Sequence, residues 1–393
     1  MKTAKGALSG IRVLDLSQFL AGPYCTMILS DLGADVIKIE KPTGDPTRET
    51  NVNINGQSVY FMSINRGKRS VLMDLKDPCY KEMFLKMAAK ADVIVENFVP
   101  GTMEKLGLAY EEIIKVNPKI IYTSVSGFGH TGPYSERGAL DMIIQAMSGF
   151  MSVTGEKGGR PLKAGPSIAD MTAGLYAAIG TLAALNHRNV TGRGQRLDIA
   201  MLDSMFSILE NSIGNYFATG RIPKPAGNRH GVSAPFQPFE TLDGEIIVAV
   251  STNRAFEDFC QALGRDDLAR DPRYANRKGR ISNVDELAEQ ITTSTKTKTT
   301  AELEGAFEKF NVPYATINTI DKIVSSPQIL ARNMLQEVEH PVAGKVKAVG
   351  SPLKMSETPG AIQQVAPLLG QHTEEVFAEL LGLEITKTSQ SVE

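Results

Sequence analysis

The chain has 393 residues, 42% hydrophobic and 22% charged, which excludes a collagen-like, low-complexity or wholly disordered protein and leaves room for two or three domains. Forty-two Lys and Arg against 44 Asp and Glu give a formal net charge of −2, so no global basic field recruits nucleic acid or a membrane. Any bound anion needs a local basic patch. Cys25, Cys79 and Cys260 are too few and too far apart for a disulfide framework and argue against a metal site, which predicts a reducing, cytoplasmic setting.

In chain order, residues 1–10 are polar and predict no signal peptide. The run 11–16 reads as a buried strand, broken by Ala21-Gly22-Pro23; 24–32 reads as a helix stopping at Gly33, and 34–40 as a second strand ended by Pro42 and Gly44. Cys25 lies in an apolar run and is expected to pack as a small hydrophobe. Further β-branched runs at 70–75, 93–95 and 120–125 alternate with helical patterns at 80–90 and 110–116. This alternation predicts an α/β unit with a largely parallel sheet. Helices dominate from 139 to about 220, interrupted by Gly192 and Gly194 and a strand at 195–200. The apolar stretch 171–185 falls short of the 18–20 residues of a membrane span, so it reads as a buried helix.

Pro223, Pro225, Gly227 and Gly231 mark a boundary. Beyond it, a strand at 245–250 and acidic–basic helices over 254–310 predict a smaller α+β domain. Strand character returns at 313–319 and 346–353, an amphipathic helix at 373–383, and 386–393 reads as a frayed tail.

Several motifs bear on chemistry. Gly127, Gly129 and Gly132 spell G-x-G-x-x-G after a strand, yet Pro133 follows and no acidic residue stands about 20 positions on, so a dinucleotide fingerprint is not supported. The first turn, 17–23, lacks the three glycines but still brings backbone N–H groups to a helix start. Lys41, Arg48, Arg66, Lys68, Arg69 and Lys105 cluster near predicted strand ends, where ligands of open α/β sheets gather; they read as a polyanion site or, residue by residue, as a solvated face. The five histidines show no metal spacing. Asp170 stands among small and apolar neighbours where the apolar helix begins. It is either an ordinary helix-start acid or a desolvated nucleophile with room for a substrate beside it, and composition does not choose between these.

The ordered set of motifs resembles class III CoA-transferases, the formyl-CoA and carnitine CoA-transferase family. It consists of Asp15-Leu16-Ser17 with Ala21-Gly22-Pro23, the run 32–40, Asn65-Arg66-Gly67-Lys68, Glu96-Asn97-Phe98 with Pro100-Gly101, Ser126-Gly127-Phe128-Gly129, 164–170, Gly192-Arg193-Gly194 and Pro367-Leu368-Leu369-Gly370-Gln371-His372. The resemblance implies a Rossmann-like large domain built from both chain ends (1–224 and 321–393), a small α+β domain inserted at 225–320, and an interlaced homodimer. It further implies that Asp170 is the catalytic aspartate, with Asp141 an acidic neighbour. Positions matching CoA contacts are Gln18, Phe19, Leu20, Ala21, Lys41, Leu72, Asn97, Phe98, Thr102 and Lys105. The reaction it implies moves CoA from an acetyl-, formyl- or succinyl-CoA to a small carboxylic acid through aspartyl anhydrides, with the CoA thioester as substrate and no resident cofactor. Oxalate and other dicarboxylates are the favoured acceptors, and acetyl-CoA:oxalate transferases the most similar subgroup.

Leu20 stands where the family's oxalate enzyme carries Gln and cannot orient a carboxylate, so Asn228, Arg229 and His230 are the expected donors to the acceptor's spare carboxylate. The same family contains α-methylacyl-CoA racemases, whose catalytic His precedes the position of Asp141; Leu140 here argues against that chemistry. A non-catalytic acyl-CoA-binding protein is the remaining alternative.

Overall fold

Six of the β-branched runs pair side by side in the computed structural model, which describes residues 6–50 and 52–383. Strands β1 (Arg12–Asp15), β2 (Asp35–Glu40), β3 (Lys68–Leu72), β4 (Val93–Glu96), β5 (Ile121–Ser126) and β6 (Gln195–Ala200) form one sheet, in the order β3-β2-β1-β4-β5-β6. Every neighbouring pair is parallel, with Leu14 opposite both Ile37 and Ile94. The chain winds outward from β1 to β3, then returns to β4 on β1's other side. That reversal makes the carboxyl ends of β1 and β4 diverge, and such a switch point is where open α/β sheets bind ligands.

A sheet covered on both faces has near-continuous apolar strands, as these are. The helices that cover it are α1 (Ala21–Asp31), α3 (Pro78–Ala88), α4 (Thr102–Leu106), α5 (Tyr110–Val116), α6 (Asp141–Met147) and α7 (Ile168–Thr191), while α2 (Val59–Ile64) packs beside α1. Val13, Val36, Val93 and Val95 pack with Cys25 and Leu29 of α1 and the alanines of α7; Leu14, Ile37 and Ile94 pack on the opposite face with Phe84, Ile113 and Phe377. Cys25 and Cys260 are buried, as expected of small hydrophobes, and Cys79 is exposed. The C-terminal segment closes the sheet at β3: the His372 N–H donates to the Ser70 carbonyl (2.9 Å) and the Leu72 N–H to Thr373 Oγ1 (3.0 Å). An otherwise open edge is thereby paired.

Helix α7 is longer than the 15-residue apolar run suggested: it has 24 residues. By length and composition it is the one helix among the described residues able to cross a membrane, but half of its most apolar window is buried in the core.

The chain divides into two compact units. One comprises the described residues up to Met151, Lys163–Arg221 and those from Pro327 onward; the other comprises Ser152–Leu162 and Ile222–Ser326. In the second, β7 (Phe236–Glu240), β8 (Glu245–Ala249) and β9 (Tyr314–Thr316) form an antiparallel sheet in the order β9-β8-β7. Helices α8 (Asn253–Leu263), α9 (Val284–Thr295) and α10 (Thr300–Lys309) bury Phe256, Phe259, Leu287 and Phe307 against Phe239, Ile246 and Val248. A hairpin at Leu335–His340 and Gly344–Val349 and the helix α11 (Thr373–Leu381) belong to the first unit. The tail at 386–393 and the first five residues lie outside the described residues.

Most of the basic cluster is not an anion site. Lys68 is fully buried and donates to Asp15 Oδ2 (2.9 Å), Asn65 Oδ1 (2.9 Å) and the Pro23 carbonyl (3.2 Å). Arg66 pairs with Asp31, Arg48 with Glu40, and Arg69 with Asp35, Glu375 and Glu379. Neither the polyanion nor the solvated-face reading holds for these four. A charge removed from water needs a paired partner, and these side chains spend their donors on acidic partners, with Lys68, Arg48 and Arg66 donating to carbonyl oxygens besides. Lys41 and Lys105 are exposed.

Candidate active site

The turn from β1 into α1 is assembled from buried polar groups. Asp15, the last residue of β1, accepts from the Ser17 N–H and from Thr26 Oγ1, beside Lys68. Lys38, buried in β2, donates to the Ser17 carbonyl (2.8 Å) and pairs with Asp45 (2.9 Å). Asp15 is consequently lowered to about 2; the Lys68 and Lys38 ammonium groups and the Ser17 bond overcome the desolvation that burial imposes. From across the switch point, Asn97 clasps the turn with two bonds, accepting from the Gln18 N–H and donating to the Gln18 carbonyl, each 2.8 Å. Phe19 is held at φ +60 and is 51% exposed. A bulky residue in the left-handed region is strained by about 1–2 kcal/mol, and such strain concentrates at functional turns.

Beside it, the Phe98 N–H donates to Glu96 Oε2 (2.9 Å), and burial pushes the Glu96 carboxyl up to about 7. Thr102 and Lys105 lie on α4, which opens directly after left-handed Gly101. Lys41 follows β2 and Leu72 ends β3, against Gly370. The ten residues matching CoA contacts thus all stand along the carboxyl edge of β3, β2, β1 and β4.

Asp170 occupies the first turn of α7. Ser167, the residue preceding that helix, makes no side-chain cap. Asp141 of α6 supplies the missing acceptor instead: its Oδ1 takes the Ala169 N–H at 2.8 Å. Its Oδ2 accepts from Gln145 Nε2 (2.6 Å), and Gln145 Oε1 accepts from the Ala164 N–H (2.8 Å). Burial first, and then the Asp141 carboxylate, push the Asp170 carboxyl up to about 7. Gly174, one turn further on, explains the closeness of α7 and α1. A Cβ there would sit 2.7 Å from the Ala21 carbonyl oxygen and 3.1 Å from the Tyr24 ring, so only glycine allows this approach. The nucleophile candidate and the 18–21 turn are therefore fixed to one another.

Two residues of this neighbourhood were not found in the sequence. Tyr60 on α2 is pushed up to about 12, by burial first and then by the charges of Asp170, Asp45 and Asp141. Gln145 is fully buried; its four-residue spacing from Asp141 was visible, but its bond to Ala164 was not. Asn228, Arg229 and His230 belong to the second unit. Arg229 donates to Gln237 Oε1 (2.7 Å) and pairs with Asp285, while the His230 ring stacks on Phe236 with centroids 4.6 Å apart. Asn228 is exposed. The glycines at 127–132 form a loop with no helix behind it, as their flanks predicted. Among the described residues no group of His, Cys, Asp and Glu is arranged to hold a metal.

The sequence profile of CoA-transferase family III matches residues 8–373. The chain belongs to this family. It is 40% identical over 396 residues to succinate–glutarate CoA-transferase of Agrobacterium fabrum, covering 99% of both chains. It is 39% identical to acetyl-CoA:oxalate CoA-transferase of Acetobacter aceti, covering 91% of this chain and 92% of that one. A crystal structure of a CAIB/BAIF family protein from Brucella suis superposes with a TM-score of 0.86 at 37% identity, covering 96% of this chain and all of the other. The chain is thus an enzyme of the class III CoA-transferases, whose substrates are CoA thioesters, and its parallel α/β sheet is the family's.

Proposed function

We propose that the protein transfers CoA from a short acyl-CoA (acetyl-, formyl- or succinyl-CoA) to a small dicarboxylic acid, with Asp170 as nucleophile. The observation that carries this reading is the half-buried Asp170 carboxylate, anchored against the 18–21 turn and raised to about 7 by burial and Asp141. An Asp170 oxygen attacks the thioester carbonyl carbon, the C–S bond breaks, and CoA leaves as thiolate, leaving an aspartyl mixed anhydride. A thiol with an ordinary pKa near 8.5 needs little acid assistance to leave. The acceptor carboxylate then attacks the Asp170 carbonyl carbon and displaces the donor acid. Finally the thiolate attacks the acceptor's carbonyl in the new anhydride, forming the new thioester and freeing Asp170. Raised basicity makes Asp170 a better nucleophile once ionised.

Gln18, Phe19, Leu20, Ala21, Lys41, Leu72, Asn97, Phe98, Thr102 and Lys105 are the proposed CoA contacts, supported by their standing along one carboxyl edge of the sheet, the first four and those from Asn97 on flanking the switch point. With Arg48, Arg66, Lys68 and Arg69 already paired, Lys41 and Lys105 are the cations offered to its phosphates. The acceptor class rests on the relatives' acids, glutarate and oxalate, which share two carboxylates. Asn228, Arg229 and His230 remain the proposed donors to the second one, which requires Arg229 to exchange Asp285 for substrate. A homodimer is supported by apolar side chains left exposed along α7, among them Leu175 and Ile179, the latter 60% exposed.

The test is a mass-spectrometric transfer assay in which acyl-CoA donors are crossed with free acids. Transfer to dicarboxylates by wild type and none by Asp170→Ala are expected. No transfer by wild type, or full activity in Asp170→Ala, overturns the reading.

A further inference from the structure

Gln145 takes no part in the chemistry just described, yet it is a fully buried amide between the loop that precedes α7 and the carboxylate beside Asp170. Its orientation is forced. A backbone N–H can only donate, so the atom 2.8 Å from the Ala164 nitrogen is the amide oxygen, and the atom 2.6 Å from Asp141 Oδ2 is the amide nitrogen. Asp141 therefore receives one N–H on each oxygen, from Gln145 and from Ala169. Two donors from separate places in the chain, one on each oxygen, fix where the Asp141 carboxyl sits and how it is turned.

The consequence falls on Asp170, one residue beyond Ala169. A carboxylate held in place beside a second, half-buried carboxyl raises that carboxyl by its charge. Asp141 has the donors, while Asp170 is half-buried and raised by desolvation and by that charge. Resting on the reading of Asp170 as nucleophile, we propose that Gln145 is a positioning residue of the transfer reaction. It acts through Asp141, aiming that carboxylate at the first turn of α7 and holding it in place beside Asp170. The other ionisable group that senses the pair is Tyr60, on α2, which also feels Asp45, itself paired with Lys38. Neither bonds to Gln145.

The hydrogen bonds of this relay can be reversed, which supplies the test. Gln145→Glu keeps the shape and the acceptor for Ala164 but removes the donor to Asp141 and places a second carboxylate against it. Adding Asp141→Asn restores every hydrogen bond in the opposite direction: the new amide at position 141 donates to the new carboxylate at position 145 and still accepts from Ala169. The charge of the pair is conserved, but it sits one side chain further from Asp170. Steady-state kcat, KM for the acyl-CoA and the pH profile of kcat/KM would be measured for wild type, the single variant and the double variant, with thermal melts alongside.

Gln145→Glu is expected to lower kcat at least about tenfold at pH 7 with KM for the acyl-CoA within about twofold, and to move the acid limb to higher pH. The double variant is expected to regain the wild-type melting temperature, while its acid limb moves below wild type by about half a pH unit or more. Where the single variant does not fold, the double variant alone decides. An acid limb in the double variant that coincides with wild type overturns the proposal and leaves Gln145 a packing residue. Inactivity of wild type, or activity surviving in Asp170→Ala, refutes instead the assignment of the nucleophile.

Discussion

Replacing Asp170 by Asn is expected to abolish transfer and, at the same time, to stabilise the fold at pH 8. Burial and Asp141 raise the Asp170 carboxyl from 3.8 to about 7, so the folded state binds a proton more tightly than the unfolded chain does. The sign follows directly: stability that is full below about pH 4 is lost as the pH rises, until at pH 8 the folded state holds an ionised carboxylate where it prefers a neutral one. A rise from 3.8 to about 7 corresponds at most to about 4 kcal/mol. Asp170 is only half-buried, so solvent screening reduces this to roughly 2 kcal/mol. Asn removes the charge and keeps the shape, and for a unit of this size the gain amounts to about 4–8 °C in melting temperature at pH 8. At pH 4.5, just above the range where the difference vanishes, the two proteins melt within about 2 °C of each other. Thermal or urea unfolding of both proteins at the two pH values measures the difference. A variant less stable than wild type at pH 8, or a difference that does not change with pH, refutes the argument that Asp170 is held against its ordinary ionisation.

Transfer itself has the complementary profile: log kcat/KM of wild type rises with unit slope up to a bend near pH 7 and is flat above it, since only ionised Asp170 attacks; a flat profile from pH 5.5 to 8 contradicts this. Lys68→Met leaves Asp15 buried without its main counter-charge, which costs about 3–5 kcal/mol by urea unfolding, and the double variant with Asp15→Leu recovers most of that loss. Gly174→Val drives a side chain into the Ala21 carbonyl and separates α7 from the 18–21 turn, so a loss of about 2–3 kcal/mol in stability should accompany a fall in kcat larger than any change in KM. Phe19→Gly releases the strained φ of +60 and is expected to leave stability unchanged or raised by up to about 1 kcal/mol, while the KM for acyl-CoA rises as the ring of this exposed residue is lost.

The sheet was legible because its strands are buried on both faces: uninterrupted runs such as Val36-Ile37 and Val93-Ile94-Val95 have no other use, and Gly33 and Gly101 punctuate them. Asp170 was legible only in part. Its small neighbours suggested a crowded helix start, but the carboxylate that caps that start is Asp141, 28 positions before Ala169 and on another helix. A cap supplied from a distance leaves no local pattern. The same holds for Tyr60 and for the Gln145 bond to Ala164, 19 positions away. Helix α7 ran past its apolar stretch because Asn186 to Thr191 tolerate helix without being buried in it, and Gly192 in the left-handed region ends it.

The basic residues are where sequence reasoning failed, and the failure is informative. Lys38 and Lys68 point inward from adjacent strands into the space beneath the 17–23 turn, where Asp15, Asp45 and the Ser17 and Pro23 carbonyls meet them. Position near a strand end says that a lysine reaches the carboxyl edge; it does not say whether the residue faces the ligand or supports the loop that does. An acid at the end of each inner strand, Asp15 on β1 and Glu40 on β2, is the visible sign of support, because a cation that waits for a phosphate is not neutralised in advance. By that criterion the carboxyl edge divides into an inner layer of matched charges that shapes the turn and an outer, exposed pair, Lys41 and Lys105, which are the cations proposed for the ligand.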